Sequence, residues 1–99
     1  MNPVEAEAVV RKALRDNIGE EVAFLPLASN LLEDLGFDEL DFVETAMYIE
    51  RHLAHPDVLG GCGHLVEILD EDMMGWKTVQ DVVDTVMKVT QPGYGRLPR

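Results

Sequence analysis

Apolar residues recur at helical spacing in three stretches of the chain. Between Pro3 and Asn17 they return every three or four positions, which predicts a helix with one buried face made of Ala6, Val9, Val10, Ala13 and Leu14. Asn2 is suited to cap this helix, and Pro3 to occupy its first position. Gly19 is suited to end it, so the first element has signals at both ends.

The second helical stretch begins at Asp38, a good N-cap residue, and should end near His52 or Leu53 because Pro56 restricts the residue before it. Its spacing predicts an inward stripe of Leu40, Val43, Met47, Tyr48, Ile49 and Leu53. The leucine-rich segment 20–37 shows neither alternation nor a long helical stripe. We therefore expect a long, partly ordered loop that packs across the helix ends, with a short helical turn over 31–35.

The last helix is predicted from Thr78 to Thr90, capped by Thr78 or Lys77, with an inner face of Val79, Val82, Val83, Val86 and Met87. A short helix over 70–74 precedes it, with Asp70 as cap and Gly75 as stop. Glycines 60, 61 and 63 predict an extended loop over 54–67. The pattern thus predicts one all-α domain, residues 1–90, of three main helices and a short third helix, followed by a flexible tail, residues 91–99.

Charge narrows the range of partners. The formal net charge is −11, from 19 acidic and 8 basic residues, which argues against nucleic acid and anionic membranes and favours a basic protein surface. The single cysteine, Cys62, fits a reducing compartment. No apolar run approaches the roughly 20 residues that span a bilayer, and the first residues lack a secretory pattern. We expect a cytoplasmic monomer.

Residues around the start of the second helix resemble the signature of the acyl carrier protein family. Residues 33–44, Glu-Asp-Leu-Gly-Phe-Asp-Glu-Leu-Asp-Phe-Val-Glu, are similar to the family's Asp-Leu-Gly, a variable residue, Asp-Ser-Leu-Asp and a Val-Glu pair. Residues 76–84 look like the start of the family's fourth helix, and residues 70–72 lie where it places a short acidic third helix. The resemblance spans about residues 4–90 and implies a four-helix carrier bundle.

One residue departs from the family in a way that affects its chemistry. The family attaches phosphopantetheine to the serine that follows the Asp, and Glu39 occupies that position here. A carboxylate forms no stable phosphodiester, so we expect neither phosphopantetheine nor carrier activity. Ser29, the only serine, is predicted to be a loop or capping residue. Cys62 has no activating partner nearby in sequence that would favour a thioester.

The segment after the second helix is longer than is usual in the family, and it concentrates residues of metal-ligand type. His52, His55, Cys62 and His64 include every histidine and the only cysteine of the chain. Their spacing matches no standard zinc motif. We therefore predict incidental histidines in a glycine-rich loop and no obligatory metal, and keep a small zinc-binding protein as an alternative.

The resemblance implies that the second helix docks onto a basic partner, such as an acyl-carrier-dependent enzyme. The residues implied are Asp38, Glu39, Asp41, Glu44, Met47 and Glu50. A solvated acidic helix that only satisfies its own dipole is the simpler interpretation. Another alternative is a genuine acyl or peptidyl carrier of fatty-acid or polyketide-type biosynthesis whose serine has been substituted. No nucleophile and base are paired in sequence, so we predict no enzyme activity.

Overall fold

The computed structural model describes residues 2–54 and 67–91. Within these ranges the protein is helical and has no strand, which confirms the predicted all-α bundle. The elements are α1 (Pro3–Asn17), a 3-10 turn (Val22–Phe24), α2 (Glu39–Ala54), α3 (Asp70–Met74) and α4 (Val79–Val89). The predicted glycine-rich loop and C-terminal tail lie almost wholly outside the described residues.

Helix α1 forms as its sequence predicts. The Asn2 side chain accepts a hydrogen bond from the Glu5 backbone N–H at 2.8 Å, and the Glu5 carboxylate accepts one from the Asn2 N–H at 3.1 Å. This reciprocal cap satisfies backbone donors that have no partner within the helix. All five predicted apolar residues are buried, and α1 packs against both α2 and α4. The centre of the core is therefore α1.

Helix α2 begins as predicted but presents a different face to the core. Its buried residues are Thr45, Ala46, Ile49 and Leu53, whereas Leu40, Val43 and Met47 are exposed, so the predicted inward stripe is wrong at these three positions. A polar contact is compatible with this choice of face: the Asn17 side-chain amide, at the end of α1, donates to Thr45 Oγ1 at 3.0 Å, so the hydroxyl of a fully buried residue has a partner. Small Ala46 and this satisfied hydroxyl let α1 pack against that side, which leaves the bulkier apolar side facing outward.

The loop between α1 and α2 is ordered by one arginine and one asparagine. Arg11 Nη1 donates to the carbonyls of Ala23 and Leu25 at 2.7 and 2.8 Å, which holds the 3-10 turn against α1. Asn30 Oδ1 accepts from the backbone N–H groups of residues 32 and 33, and the Asp34 N–H donates to the Asn30 carbonyl at 2.8 Å, which closes the predicted single helical turn. The loop residues Leu31, Leu35 and Phe37 are buried across the helix ends, as predicted.

The loop also runs beside the start of α4. The Leu31 N–H donates to the Lys77 carbonyl at 2.9 Å, and the Val79 N–H donates to the Ser29 carbonyl at 3.2 Å. Gln80 N–H donates to the Leu27 carbonyl at 2.9 Å. These bonds fix the segment before α4 next to the loop that leads into α2.

Helices α3 and α4 are close to their predicted ranges. The prediction of Asp70 as the cap of α3 is wrong: Asp70 is the first helical residue, and the Asp72 carboxylate instead accepts from the Leu69 N–H at 3.2 Å. Thr78 caps α4 by a reciprocal pair of bonds with Asp81. Lys88 Nζ lies 2.9 Å from Asp72 Oδ1, which links α4 to α3. None of the described helices has the length and apolar character needed to cross a membrane.

Candidate functional site

Four of the six predicted docking residues, Asp38, Glu39, Asp41 and Glu44, lie at the cap or in the first half of α2, where the helix presents its positive end. Asp38 caps the helix: its Oδ1 accepts from the Asp41 N–H at 2.9 Å, and Asp41 Oδ2 accepts from the Asp38 N–H at 3.0 Å. Glu39 follows as the first helical residue and is exposed. Glu44 is half-buried and Met47 exposed one and two turns further on. The structure therefore brings together three carboxylates at one helix end.

Glu50, the sixth predicted docking residue, has a role inside the fold. Its Oε2 accepts a hydrogen bond from the Ile68 backbone N–H at 2.6 Å, and Ile68 is buried in the core. The Glu50 carboxylate therefore ties α2 to the residues just before α3, so fewer of its lone pairs are available to a partner than the sequence alone suggests.

An open groove lies beside Glu39, between α2, α3 and the segment before α4. Its volume is about 610 Å³, and its lining residues are Leu32, Glu39, Phe42, Val43, Asp70, Met73, Met74, Trp76 and Lys77. Trp76 forms the floor, since only 4% of its surface is exposed and its indole N–H donates to Thr85 Oγ1 at 2.8 Å. Phe42 packs edge-on against Phe37, with 5.1 Å between ring centroids. The base of the groove is therefore formed by two aromatic side chains, each held by a contact within the fold.

The upper part of the groove is apolar and open to solvent. Met74 is 85% exposed, and Leu32 and Val43 are also exposed. Within the described part of the chain, two carboxylates, Glu39 and Asp70, line the groove together with a single basic residue, Lys77. Exposed patches of large apolar side chains are typical of surfaces that bind another molecule.

The sequence did not predict this groove, although it contained one signal for it. Leu40, Phe42, Val43 and Met47 cover more of the circumference of α2 than a single packing face can bury. A helix with apolar residues on two sides leaves one of them exposed when it packs on a single neighbour. The other lining residues of the groove come from distant parts of the chain, so no local pattern groups them.

Asp81 supports the wall of the groove near Lys77. Burial by itself would raise the pKa of the Asp81 carboxyl, but the backbone N–H groups of Lys77 and Thr78 donate to it at 2.8 and 3.0 Å and lower that pKa overall. The charged form is thus the one that the fold stabilises. The segment carrying Trp76 and Lys77 is held by this charged cap.

Of the four candidate metal ligands named from the sequence, His52 is the one that the structure describes. Its Nε2 lies 3.4 Å from Asp16 Oδ2 without hydrogen-bond geometry and is shielded from solvent. Burial lowers the pKa of His52, outweighing the opposing influence of Asp16, and nearby Lys12 and Arg51 add to the lowering. Across residues 2–54 and 67–91 no three His, Cys, Asp or Glu side chains are grouped as metal ligands. His55, Cys62 and His64 lie outside the described residues, so the zinc alternative stays untested.

Ser29 lies in the loop beside α4 and is only 8% exposed. Its N–H donates to the Pro26 carbonyl at 3.0 Å and its carbonyl accepts from Val79, so its backbone is built into the contact between loop and helix. Its position agrees with the predicted loop serine.

Comparison with known proteins agrees with this architecture. No family model matches the chain. It is 32% identical over 82 residues to the acyl carrier protein of Clostridium perfringens, an alignment that covers 83% of this chain and 93% of that protein. It is also 32% identical over 77 residues to the acyl carrier protein of Coprothermobacter proteolyticus, covering 78% and 80% of the two chains. The chain therefore belongs to the acyl carrier protein family.

Proposed function

We propose that this family member is a binding module that carries no phosphopantetheine and docks onto a basic partner protein through the acidic start of α2. The observation that carries the proposal is Glu39, an exposed glutamate directly after the capping Asp38, at the position that the family signature gives to serine. Attachment of phosphopantetheine needs a hydroxyl oxygen that attacks phosphorus, and the Glu39 carboxylate does not provide one.

Among the described residues, no other hydroxyl near the start of α2 compensates for Glu39. Ser29 is buried in the contact between the loop and α4, so a transferase has no access to it without unfolding that contact. The nearest threonine along α2, Thr45, is fully buried and accepts a hydrogen bond from Asn17. The exposed surface around the start of α2 is acidic and apolar instead.

The charge of Glu39 supports docking without cargo. Unpaired backbone N–H groups and the helix dipole make the start of α2 a favourable place for an anion, worth about 0.3–1 kcal/mol at the surface. A phosphodiester at the family's serine would place one negative charge there, and Glu39 places one nearby permanently. Asp38 and Asp41 add two more carboxylates to the same helix end. A basic partner would thus meet a surface charged like that of a modified carrier.

The modification is tested by mass spectrometry of the intact protein. After incubation with coenzyme A and a phosphopantetheinyl transferase of broad specificity, we expect the parent chain to keep its mass and Glu39→Ser to gain one phosphopantetheine. A modified parent chain would disprove the proposal. An unmodified Glu39→Ser would show that something other than Glu39 prevents attachment.

Docking is tested by a pull-down from native cells, with a genuine acyl carrier protein of the same cells as comparison bait. Glu39→Gln should weaken capture of a partner, and Glu44→Lys should weaken it further, because each removes negative charge from the start of α2. Asp84→Asn, which neutralises an exposed carboxylate on α4, is the control and should bind like the parent. If all three variants bind equally well at low salt, the partner uses another face.

A further inference from the structure

We propose that the groove beside α2 is an anchor site for apolar side chains of a basic amphipathic helix in the partner. The inference rests on the proposed docking function and adds to it the chemistry of the partner segment. In this proposal the groove residues determine which partner segment binds. The carboxylates of α2 attract that segment through its positive charge.

The shape and lining of the groove fit apolar side chains. A volume of about 610 Å³ leaves room for more than one large side chain above the Trp76 floor. Its walls include two methionines, Met73 and Met74, whose flexible and polarisable side chains adapt to anchors of different shape. Met74 and Leu32 are exposed in the free protein, so an anchor would remove apolar surface from water.

The charges around the groove select the kind of segment that brings those side chains. Glu39 and Asp70 outnumber Lys77 among the described lining residues, so cationic groups next to an apolar anchor are favoured over anionic ones. A second copy of this chain, with a net charge of −11, would be repelled from the same surface. An amphipathic helix with leucines on one face and lysines or arginines on the other satisfies both requirements.

The protein contains its own reporter for this test, because Trp76 is the only tryptophan of the chain and forms the groove floor. The probe is a synthetic helix of about 18 residues made of leucine and lysine, with the leucines on one face and no aromatic residue. We expect the full-length protein to change its Trp76 emission and to bind this probe. A scrambled peptide of the same composition, without an apolar face, should bind at least about tenfold more weakly.

Two variants separate groove binding from plain charge attraction. Met74→Asp places a carboxylate in the groove, and Val4→Asp places one on an exposed position of α1. Each variant adds one negative charge to the protein. If charge attraction alone governed binding, both variants would bind the lysine-rich probe as tightly as the parent or more tightly. The proposal predicts instead that Met74→Asp loses about tenfold in affinity while Val4→Asp keeps it. Unchanged circular dichroism in both variants controls for folding.

Several results would overturn the inference. Equal binding of the helical and scrambled peptides, or full affinity of Met74→Asp, would show that only charge matters, and docking through α2 would still stand. Failure of the helical probe to bind would also reject it, while the pull-down with Glu39→Gln and Glu44→Lys judges the docking function separately. Tighter binding of a neutral alkyl glucoside than of the peptide, insensitive to salt, would assign the groove to alkyl chains instead.

Discussion

Trp76 is held by a buried hydrogen bond, and this makes Thr85 important although it does not line the groove. The Trp76 indole N–H donates to Thr85 Oγ1 at 2.8 Å, and both residues are buried. Thr85→Val keeps the side-chain shape and leaves the indole N–H unpaired, so the free energy of unfolding should fall by about 1–3 kcal/mol. Urea denaturation followed by circular dichroism measures the loss. Thr85→Ser keeps the hydroxyl and should lose clearly less; an equal loss would show that the methyl group is what matters.

His52 should make stability depend on pH in the mildly acidic range, below about pH 6.5. Its pKa in the folded protein is lowered by burial, whereas in the unfolded chain it is about 6.5. The unfolded chain therefore binds the proton more readily, so stability is full above about pH 6.5 and falls as the pH drops toward the folded pKa.

The measurement is the urea midpoint at a series of pH values, compared between the parent and His52→Gln. The glutamine variant lacks the titrating group, so the difference in stability between the two proteins should change across this range in favour of the variant at lower pH. A constant difference would show that His52 titrates alike in both states.

At the scale of the element, α2 shows how one residue serves folding and binding. Asp38 caps the helix by accepting from the Asp41 N–H, and it also adds charge at the predicted docking surface. Asp38→Ala should lower the free energy of unfolding by about 1 kcal/mol, whereas Asp38→Asn keeps a capping oxygen and most of the stability. Both should weaken docking, because both remove the charge. Thermal unfolding and the pull-down measure the two effects, and normal partner capture by Asp38→Asn would exclude Asp38 from docking.

At the scale of the whole molecule, negative charge works against the compact state. With 19 acidic and 8 basic residues the folded chain repels itself, and salt screens this repulsion over about 10 Å at 0.1 M ionic strength. We expect the Tm to rise steadily as sodium chloride is added, while capture of a basic partner weakens under the same conditions. A Tm that falls with salt would indicate that favourable ion pairs, such as Lys88 with Asp72, dominate.

The helices and their ends were determined by the sequence alone where the signals are local. The cap at Asn2, the cap at Asp38 and the valine face of α4 each depend on residues within a few positions of one another. The cap of α3 is one residue away from its predicted place, since several acidic residues in a row offer equivalent local choices. The signature that residues 33–44 resemble is also local, and it is enough to single out Glu39 as the position where this chain departs from that signature.

Only the tertiary structure decided which side of α2 faces the core and what lies beside Glu39. The apolar pattern of α2 allows two inward faces, and the packing of α2 against α1, which includes the contact of Asn17 with Thr45 across 28 positions, selects one of them. That selection leaves Val43 outside, where it meets Leu32 and Trp76 from distant segments to line the groove. Periodicity reports how residues are arranged around one helix. It carries no information on which neighbouring elements will cover each side, because that depends on the packing of the whole chain.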